Sequence, residues 1–97
     1  MGDPAARPGD DERPFLPRGV RLRFCNVRQA WFLLAPERAM RLDGPGAAVL
    51  GAVDGKRTFA EIVAKLAQDF AAPADRIATD ARKFLGELIN RRMLEAT

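Results

Sequence analysis

From Val20 the chain alternates, with Val20, Leu22 and Phe24 apolar and Arg21 and Arg23 between them. A period of two predicts a strand with one buried face. Asn26-Val27-Arg28-Gln29 reads as a turn, Asn26 being tolerant of unusual backbone angles. Ala30 to Leu34 is almost continuously apolar, which predicts a second strand that is central or buried on both faces, with Trp31 in the core. Pro36 has no N–H to give a ladder, so pairing is interrupted there. The segment RAMRL, Arg38 to Leu42, then resumes the alternation, Met40 and Leu42 one way and Ala39 and Arg41 the other. The first half is thus predicted to be a three-stranded meander.

The second half changes period. Asp43-Gly44-Pro45 is a helix start, because Pro45 in a first turn gives up an N–H that has no partner anyway. A short helix through residues 47–53 presents Val49, Leu50 and Val53 and closes at Asp54-Gly55, Gly55 suiting a left-handed terminus. Thr58 and Glu61 form a T-x-x-E capping box. After it Phe59, Ile62, Val63, Leu66, Ala67 and Phe70 recur at helical spacing as one core-facing stripe. Ala71-Ala72-Pro73 breaks the chain, and a third helix is predicted from about Ala74 to Met93. Its stripe is Ile77, Ala81, Phe84, Leu85 and Leu88, and Glu87 and Arg91, four apart, are expected to pair on its surface. Three helices after a small antiparallel sheet predict an α+β fold of winged helix-turn-helix type, with the sheet ahead of the helices.

Composition narrows the chemistry. The 97 residues suffice for one core. Residues 1–14 hold three prolines, two glycines and the run Asp10-Asp11-Glu12 without apolar periodicity, and are expected to form a disordered tail ahead of a folded domain at 15–97. The start lacks the apolar core of a secretory signal, and no apolar run approaches the ~20 residues of a membrane span. Cys25 is the only cysteine, which suits a reducing cytoplasm and reads as a small buried hydrophobe. With no histidine and no tyrosine, His-dependent triads are excluded, and one thiol cannot build a Cys-rich metal site. A binding module without catalysis, metal or cofactor is the expectation.

The formal charge of +3 is uneven, with Arg18, Arg21, Arg23 and Arg28 crowded together. Such a surface attracts an acidic partner, nucleic acid or acidic peptide, or is simply the solvated face of a hairpin. The third helix argues against duplex DNA. Asp75, Asp80 and Glu87 are interleaved with its Arg76, Arg82, Lys83, Arg91 and Arg92, and each acid repels phosphate. The third strand poses a different choice, since a short edge is either blunted against pairing or left open for an added strand.

The succession PRGVRLRF, WFLLAPE, RLDGPG, VDGKRTFAEIVAKLAQDF and DARKFLGELINRRML resembles the PqqD family of pyrroloquinoline quinone biosynthesis over about residues 15–95. Its marks are Pro36-Glu37, Asp54-Gly55 followed by Arg57-Thr58, and Asp80 ahead of Phe84-Leu85. The resemblance implies a peptide chaperone that binds the precursor peptide PqqA and presents it to PqqE, a radical S-adenosylmethionine enzyme. It also implies the leader-recognition element of ribosomally made, modified peptides, in which the leader lies as an added strand along the third strand and against the third helix. The expected peptide-binding residues are then Arg38, Ala39, Met40, Arg41 and Leu42 from the strand, with Ile77, Ala81, Phe84, Leu85 and Leu88 from the helix. Met40 and Leu42 are expected to reach toward the helical layer, with Arg38 and Arg41 at the rim. A small winged-helix DNA-binding regulator and a generic interaction module are the competing readings, and a homodimer through the same edge stays open.

Overall fold

The structure, a computed structural model, describes residues 7–97. The elements are β1 (Pro14–Phe15), β2 (Arg21–Cys25), β3 (Ala30–Ala35), β4 (Arg38–Leu42), α1 (Gly44–Gly51), α2 (Phe59–Phe70), α3 (Ala74–Asn90) and β5 (Glu95–Ala96). The fold is α+β, as the two periods require. The predicted meander is an antiparallel sheet in the order β2-β3-β4, with β3 central. A second sheet of two short strands, β1 with β5, was not foreshadowed in the sequence.

Register assigns the two faces of the larger sheet. Leu22, Leu33 and Met40 lie in one cross-strand row, and Phe24, Trp31 and Leu42 in the next row of that face. Leu33 is wholly buried, so this face meets the helices. The outer face carries the rows Arg23–Phe32–Arg41 and Arg21–Leu34–Ala39. Alternation along β4 puts Arg38 on the helix side with Met40, so the two expected rim arginines stand on opposite faces. The helical layer stops short of the β2–β3 turn. Trp31 is therefore not core but 40% exposed, packed edge to face on Phe24 with ring centroids 5.3 Å apart. Cys25, beside the same turn, is half-buried.

Helix α1 begins one turn earlier than the apolar pattern alone suggests. Asp43 caps it by accepting the Gly46 N–H at 2.7 Å, and Pro45 occupies its first turn. Asp54 and Gly55 belong to the following turn rather than to the helix end. Asp54 Oδ1 accepts the N–H groups of Lys56 and Arg57, each at 2.9 Å, while Gly55 has φ +76°. Those Arg57 and Lys56 donors hold the Asp54 carboxyl below its ordinary value. The capping box of α2 is complete, with Thr58 and Glu61 bonded reciprocally. Phe59, Ile62, Leu66, Leu85 and Leu88 fill the centre between α2, α3 and the sheet. Full burial of each such side chain contributes roughly 2 kcal/mol. Phe70, expected on the core stripe, is 58% exposed, because α2 ends there and Ala71 turns left-handed.

Two departures meet at the chain ends. Helix α3 stops at Asn90, short of Met93, since Arg92 adopts φ +62° and the Met93 N–H turns back to the Leu88 carbonyl at 2.9 Å. That reversal buries Met93 and Leu94 and delivers β5 to β1. The expected Glu87–Arg91 pair is not among the ion pairs of the described residues. The tail expected to be disordered over 1–14 is the second departure. Residues 1–6 lie outside the described residues, whereas 7–14 pack against the domain. The cause is the unpaired start of α2, whose first N–H groups need acceptors. The Phe59 N–H donates to the Glu12 carbonyl at 2.8 Å and the Ala60 N–H to the Asp10 carbonyl at 3.1 Å. Arg82 holds the other side. It donates to the Pro8 carbonyl at 2.9 Å, pairs with Asp10, and stacks its guanidinium 4.5 Å from the Phe59 ring centroid. Arg7 donates to Glu12 at 2.7 Å and to the Ala96 carbonyl at 2.9 Å, tying this segment to β5. Arg7 and the Gly9 N–H together hold the Glu12 carboxyl below its ordinary value.

Candidate functional site

The exposed edge of β4 follows from its turn. Pro36 and Glu37 form a two-residue connection, Glu37 taking φ +62° at the position where such turns need it. A two-residue hairpin makes its flanking pair, Ala35 with Arg38, the one that exchanges both hydrogen bonds. Counting from there, the backbone groups of Arg38, Met40 and Leu42 point to β3. Those of Ala39 and Arg41 point away, to the open side, each offering one N–H and one C=O. The same count leaves Leu22 and Phe24 unpaired at the other edge, on β2.

What distinguishes the β4 edge is the wall beside it. Arg38 Nη2 donates to the Arg91 carbonyl at 2.9 Å, just past the end of α3. At the other end of the strand, Gly46 packs against Phe84; a Cβ built on Gly46 would sit 3.3 Å from Phe84 Cζ. Arg91 and Met93, past the end of α3, thus stand beside β4, and Phe84 within α3 stands beside the start of α1. Two concavities follow one another along this seam. One, of about 530 Å³, lies between Glu37–Arg41 and Arg91 with Met93. The other, of about 570 Å³ and mainly apolar, lies between the start of α1, the end of α2 and the first half of α3, with Ile77, Phe84 and Phe70 on its walls. Asp43 and Asp80 stand at the second concavity, and Arg38, Arg41 and Arg91 with one acid, Glu37, at the first, so the seam is acidic at one end and net basic at the other.

The expected peptide-binding residues divide accordingly. Arg38, Ala39, Met40 and Arg41 line the first concavity, and Ile77, Ala81 and Phe84 the second. Leu42, Leu85 and Leu88 do not form an open floor. They are 7%, 0% and 1% exposed, and belong to the core. The physical reason is the width of α3's apolar stripe, of which α2 and the sheet cover the central line and leave the Ile77–Phe84 flank. Sequence reading missed Asp43–Gly46 and Phe70 as walls. Phe70 gave no signal of its own, because a helical stripe does not tell where a neighbouring helix stops. Asp80 was singled out only by the family resemblance. Among the described residues no group of three or more Asp, Glu or Cys side chains could hold a metal ion. Nor is any helix among the described residues long and apolar enough to cross a membrane.

A small sheet edge walled by a helix, with unpaired backbone groups along a mixed apolar and charged seam, is the architecture of a module that takes up an extended segment. Residues 30–94 match the family Coenzyme PQQ synthesis protein D (PqqD), and this chain belongs to that family. It is 50% identical over 80 residues to the PqqA binding protein of Rhizobium meliloti, covering 82% of each chain. It is also 45% identical over 93 residues to the bifunctional coenzyme PQQ synthesis protein C/D of Methylorubrum extorquens, spanning 96% of this chain and 25% of that one. Among solved structures, the solution NMR structure of the PqqD part of Methylobacterium extorquens PqqCD, a stand-alone recognition element for ribosomally made, modified peptides, superimposes with a TM-score of 0.80. The two share 42% identity, over 94% of this chain and 97% of that one. The crystal structure of PqqD from Xanthomonas campestris gives a TM-score of 0.58 at 34% identity, over 98% and 99%.

Proposed function

We propose that this chain is a peptide chaperone of pyrroloquinoline quinone biosynthesis that binds the precursor peptide PqqA by strand addition at β4 and presents it to the radical S-adenosylmethionine enzyme PqqE. The observation that carries the reading is the open β4 edge, with the Ala39 and Arg41 backbone groups outward beside the α3 seam. The peptide backbone pairs with those groups, and its apolar side chains reach Ile77 and Phe84. Membership of the PqqD family and likeness to relatives named PqqA binding protein support the identity of the guest. The protein has no catalytic part in this scheme and acts in the cytoplasm. Sheet and helices are read as a winged helix-turn-helix arrangement adapted to peptide, not DNA. Arg82, one of the basic groups of α3, is engaged by the Pro8–Asp10 segment instead of being offered to phosphate.

The test is titration of the isotope-labelled protein with synthetic PqqA, followed through backbone amide shifts. Changes are expected along residues 38–42 and 77–84. Changes confined to the β2 edge, or no change at peptide concentrations up to the millimolar range, would sink the reading.

A further inference from the structure

Among the described residues the exposed large hydrophobic side chains are Phe24, Val27, Trp31 and Phe70. Phe70 lines the seam already described, whereas the other three belong to one hairpin, β2–β3. Cys25 pairs with Ala30 at its last rung, and the loop Asn26–Gln29 closes it with Gln29 at φ +51°. This loop puts Val27 at the tip, 93% exposed. Turn tips are ordinarily built from Gly, Asn, Asp, Ser or Pro, and a β-branched aliphatic side chain in water there gains nothing from the fold. One rung in, Phe24 stands across from Trp31, and because the helices stop short of the pair both rings lie open on the face of the sheet that meets the helices further on. The opposite face of the hairpin is cationic. Arg21 and Arg23 project there in the rows of Leu34 and Phe32, and the Arg28 guanidinium lies 5.9 Å from the Phe32 ring centroid. From Arg13 to Pro36 the chain has no acid. The ion pairs of the described residues, Arg7–Glu12, Arg57–Asp54, Lys65–Asp69 and Arg82–Asp10, engage none of these arginines.

We infer that the tip of the β2–β3 hairpin docks on an anionic lipid surface, with Val27 entering the apolar layer, Phe24 and Trp31 at headgroup level, and Arg21, Arg23 and Arg28 against the phosphates. Charge complementarity carries the choice of occupant. A bilayer of anionic phospholipid holds negative charge at its surface and hydrocarbon directly beneath, which is the order in which the hairpin presents arginine and apolar side chains. Trp and other aromatic rings favour that boundary because it is apolar on one side and wet on the other. Three apolar side chains cannot anchor a protein by themselves, so attachment needs both the apolar tip and the arginines and is reversible. Nucleic acid also offers phosphates but fits less well. A single strand stacks its bases on free ring faces, whereas Phe24 and Trp31 pack on each other, Arg28 lies over Phe32, and Val27 has no ring. The hairpin tip is at the end of the sheet away from the Pro36–Glu37 turn, so docking leaves the Glu37–Arg41 concavity free.

The experiment mixes the full chain with vesicles of phosphatidylcholine alone, or of phosphatidylcholine with phosphatidylglycerol, and separates bound from free protein by sedimentation. Binding is expected on the mixed vesicles at low salt, about tenfold or more weaker on phosphatidylcholine alone, and progressively lost as salt rises. A second measurement on the parent needs no variant. Trp31 is the only tryptophan, so its emission should move to shorter wavelength on the mixed vesicles and be quenched by lipids brominated near the top of the acyl chain. Val27→Asp changes a side chain that is almost wholly exposed, so the fold is kept, and vesicle affinity should drop about fivefold or more. Arg23→Gln/Arg28→Gln, also at exposed positions, should lower it about tenfold. No binding to the mixed vesicles, equal binding by the parent and Val27→Asp, or binding without quenching of Trp31 overturns the proposal. A single-stranded oligonucleotide that shifts Trp31 emission where vesicles do not would assign the hairpin to nucleic acid, and overturns it as well.

Discussion

The sheet has two edges of equal length, β2 and β4, and they differ in what stands beside them. At β2 the unpaired backbone groups are those of Leu22 and Phe24, and the concavity that includes β2 side chains reaches across the outer face to Ala39 rather than along the edge. At β4 they are those of Ala39 and Arg41, and Arg91 and Met93 share a concavity with them, with Phe84 of α3 further along against Gly46. Main-chain hydrogen bonds alone give an added strand little preference, since every edge offers them. The wall supplies what the edge lacks: apolar surface for alternate side chains and charge to set direction.

The sharpest way to break this comparison is one proline at a time. Arg41→Pro deletes an N–H that faces the open side, at an edge position where proline is tolerated. Peptide affinity is expected to fall about tenfold, because the guest carbonyl is left without a donor. Phe24→Pro deletes the equivalent N–H at the β2 edge and should leave peptide affinity unchanged. Met40→Pro removes a donor that points to β3 and should instead destabilise the fold, by roughly 1–3 kcal/mol. Calorimetric titration with PqqA and thermal melts separate the three. Equal peptide loss from Arg41→Pro and Phe24→Pro would remove the distinction between the edges.

The two edges also show what was legible beforehand. Periodicity placed all three strands of the sheet and all three helices, since each period maps directly onto a buried face. The apolar stripe of α3 was visible in the same way, although Leu85 and Leu88, expected on the floor of a peptide groove, are core. Which flank of that stripe stayed open was not, because this depends on how far α2 extends beside it. Trp31 illustrates the same limit: its strand is central, yet the helices end before they reach it. The order of residues 7–14 was hidden for another reason. A Pro- and Asp-rich stretch lacks apolar periodicity, and what orders it is the pair of acceptors it offers to the start of α2.

The wall itself can be altered without touching the edge. Phe84→Ala removes half-buried apolar surface from the seam, and PqqA affinity is expected to drop about fivefold, in line with the area lost. Gly46→Ala approaches from the opposite side. Its new methyl would meet Phe84 at 3.3 Å and Asp43 Oδ1 at 2.9 Å, narrowing the seam and disturbing the α1 cap. A stability loss of about 1 kcal/mol, the usual worth of a cap, should accompany its weaker peptide binding. If neither substitution changes the peptide's affinity, the β4 backbone acts alone and the wall is incidental.

The smallest effect concerns how the wall is held. Arg82 on α3 is tied to the Pro8–Asp10 segment, and that segment is closed by Glu12 between Arg7 and the Gly9 N–H. Arg7, then the Gly9 N–H, lower the Glu12 pKa; the Arg57 and Lys56 N–H groups lower that of Asp54, and Thr58 lowers that of Glu61. A carboxyl whose folded value lies below its unfolded one binds fewer protons in the native state, so its contribution is present above the unfolded value, near pH 4. As pH falls through the lower folded values, that contribution is lost. Melting temperature should therefore be level from neutrality down to about pH 5 and decline below it. Glu12→Gln should lower it by a few degrees at neutral pH and make the acid decline shallower, because one of the three groups no longer titrates. Peptide affinity at neutral pH should be unaffected, since α3 is also fixed by Leu85 and Leu88 in the core. A Glu12→Gln protein that keeps its stability but loses the peptide would mean that residues 7–14 shape the seam directly, and that the β4 edge is distinguished by this segment as well as by its helix.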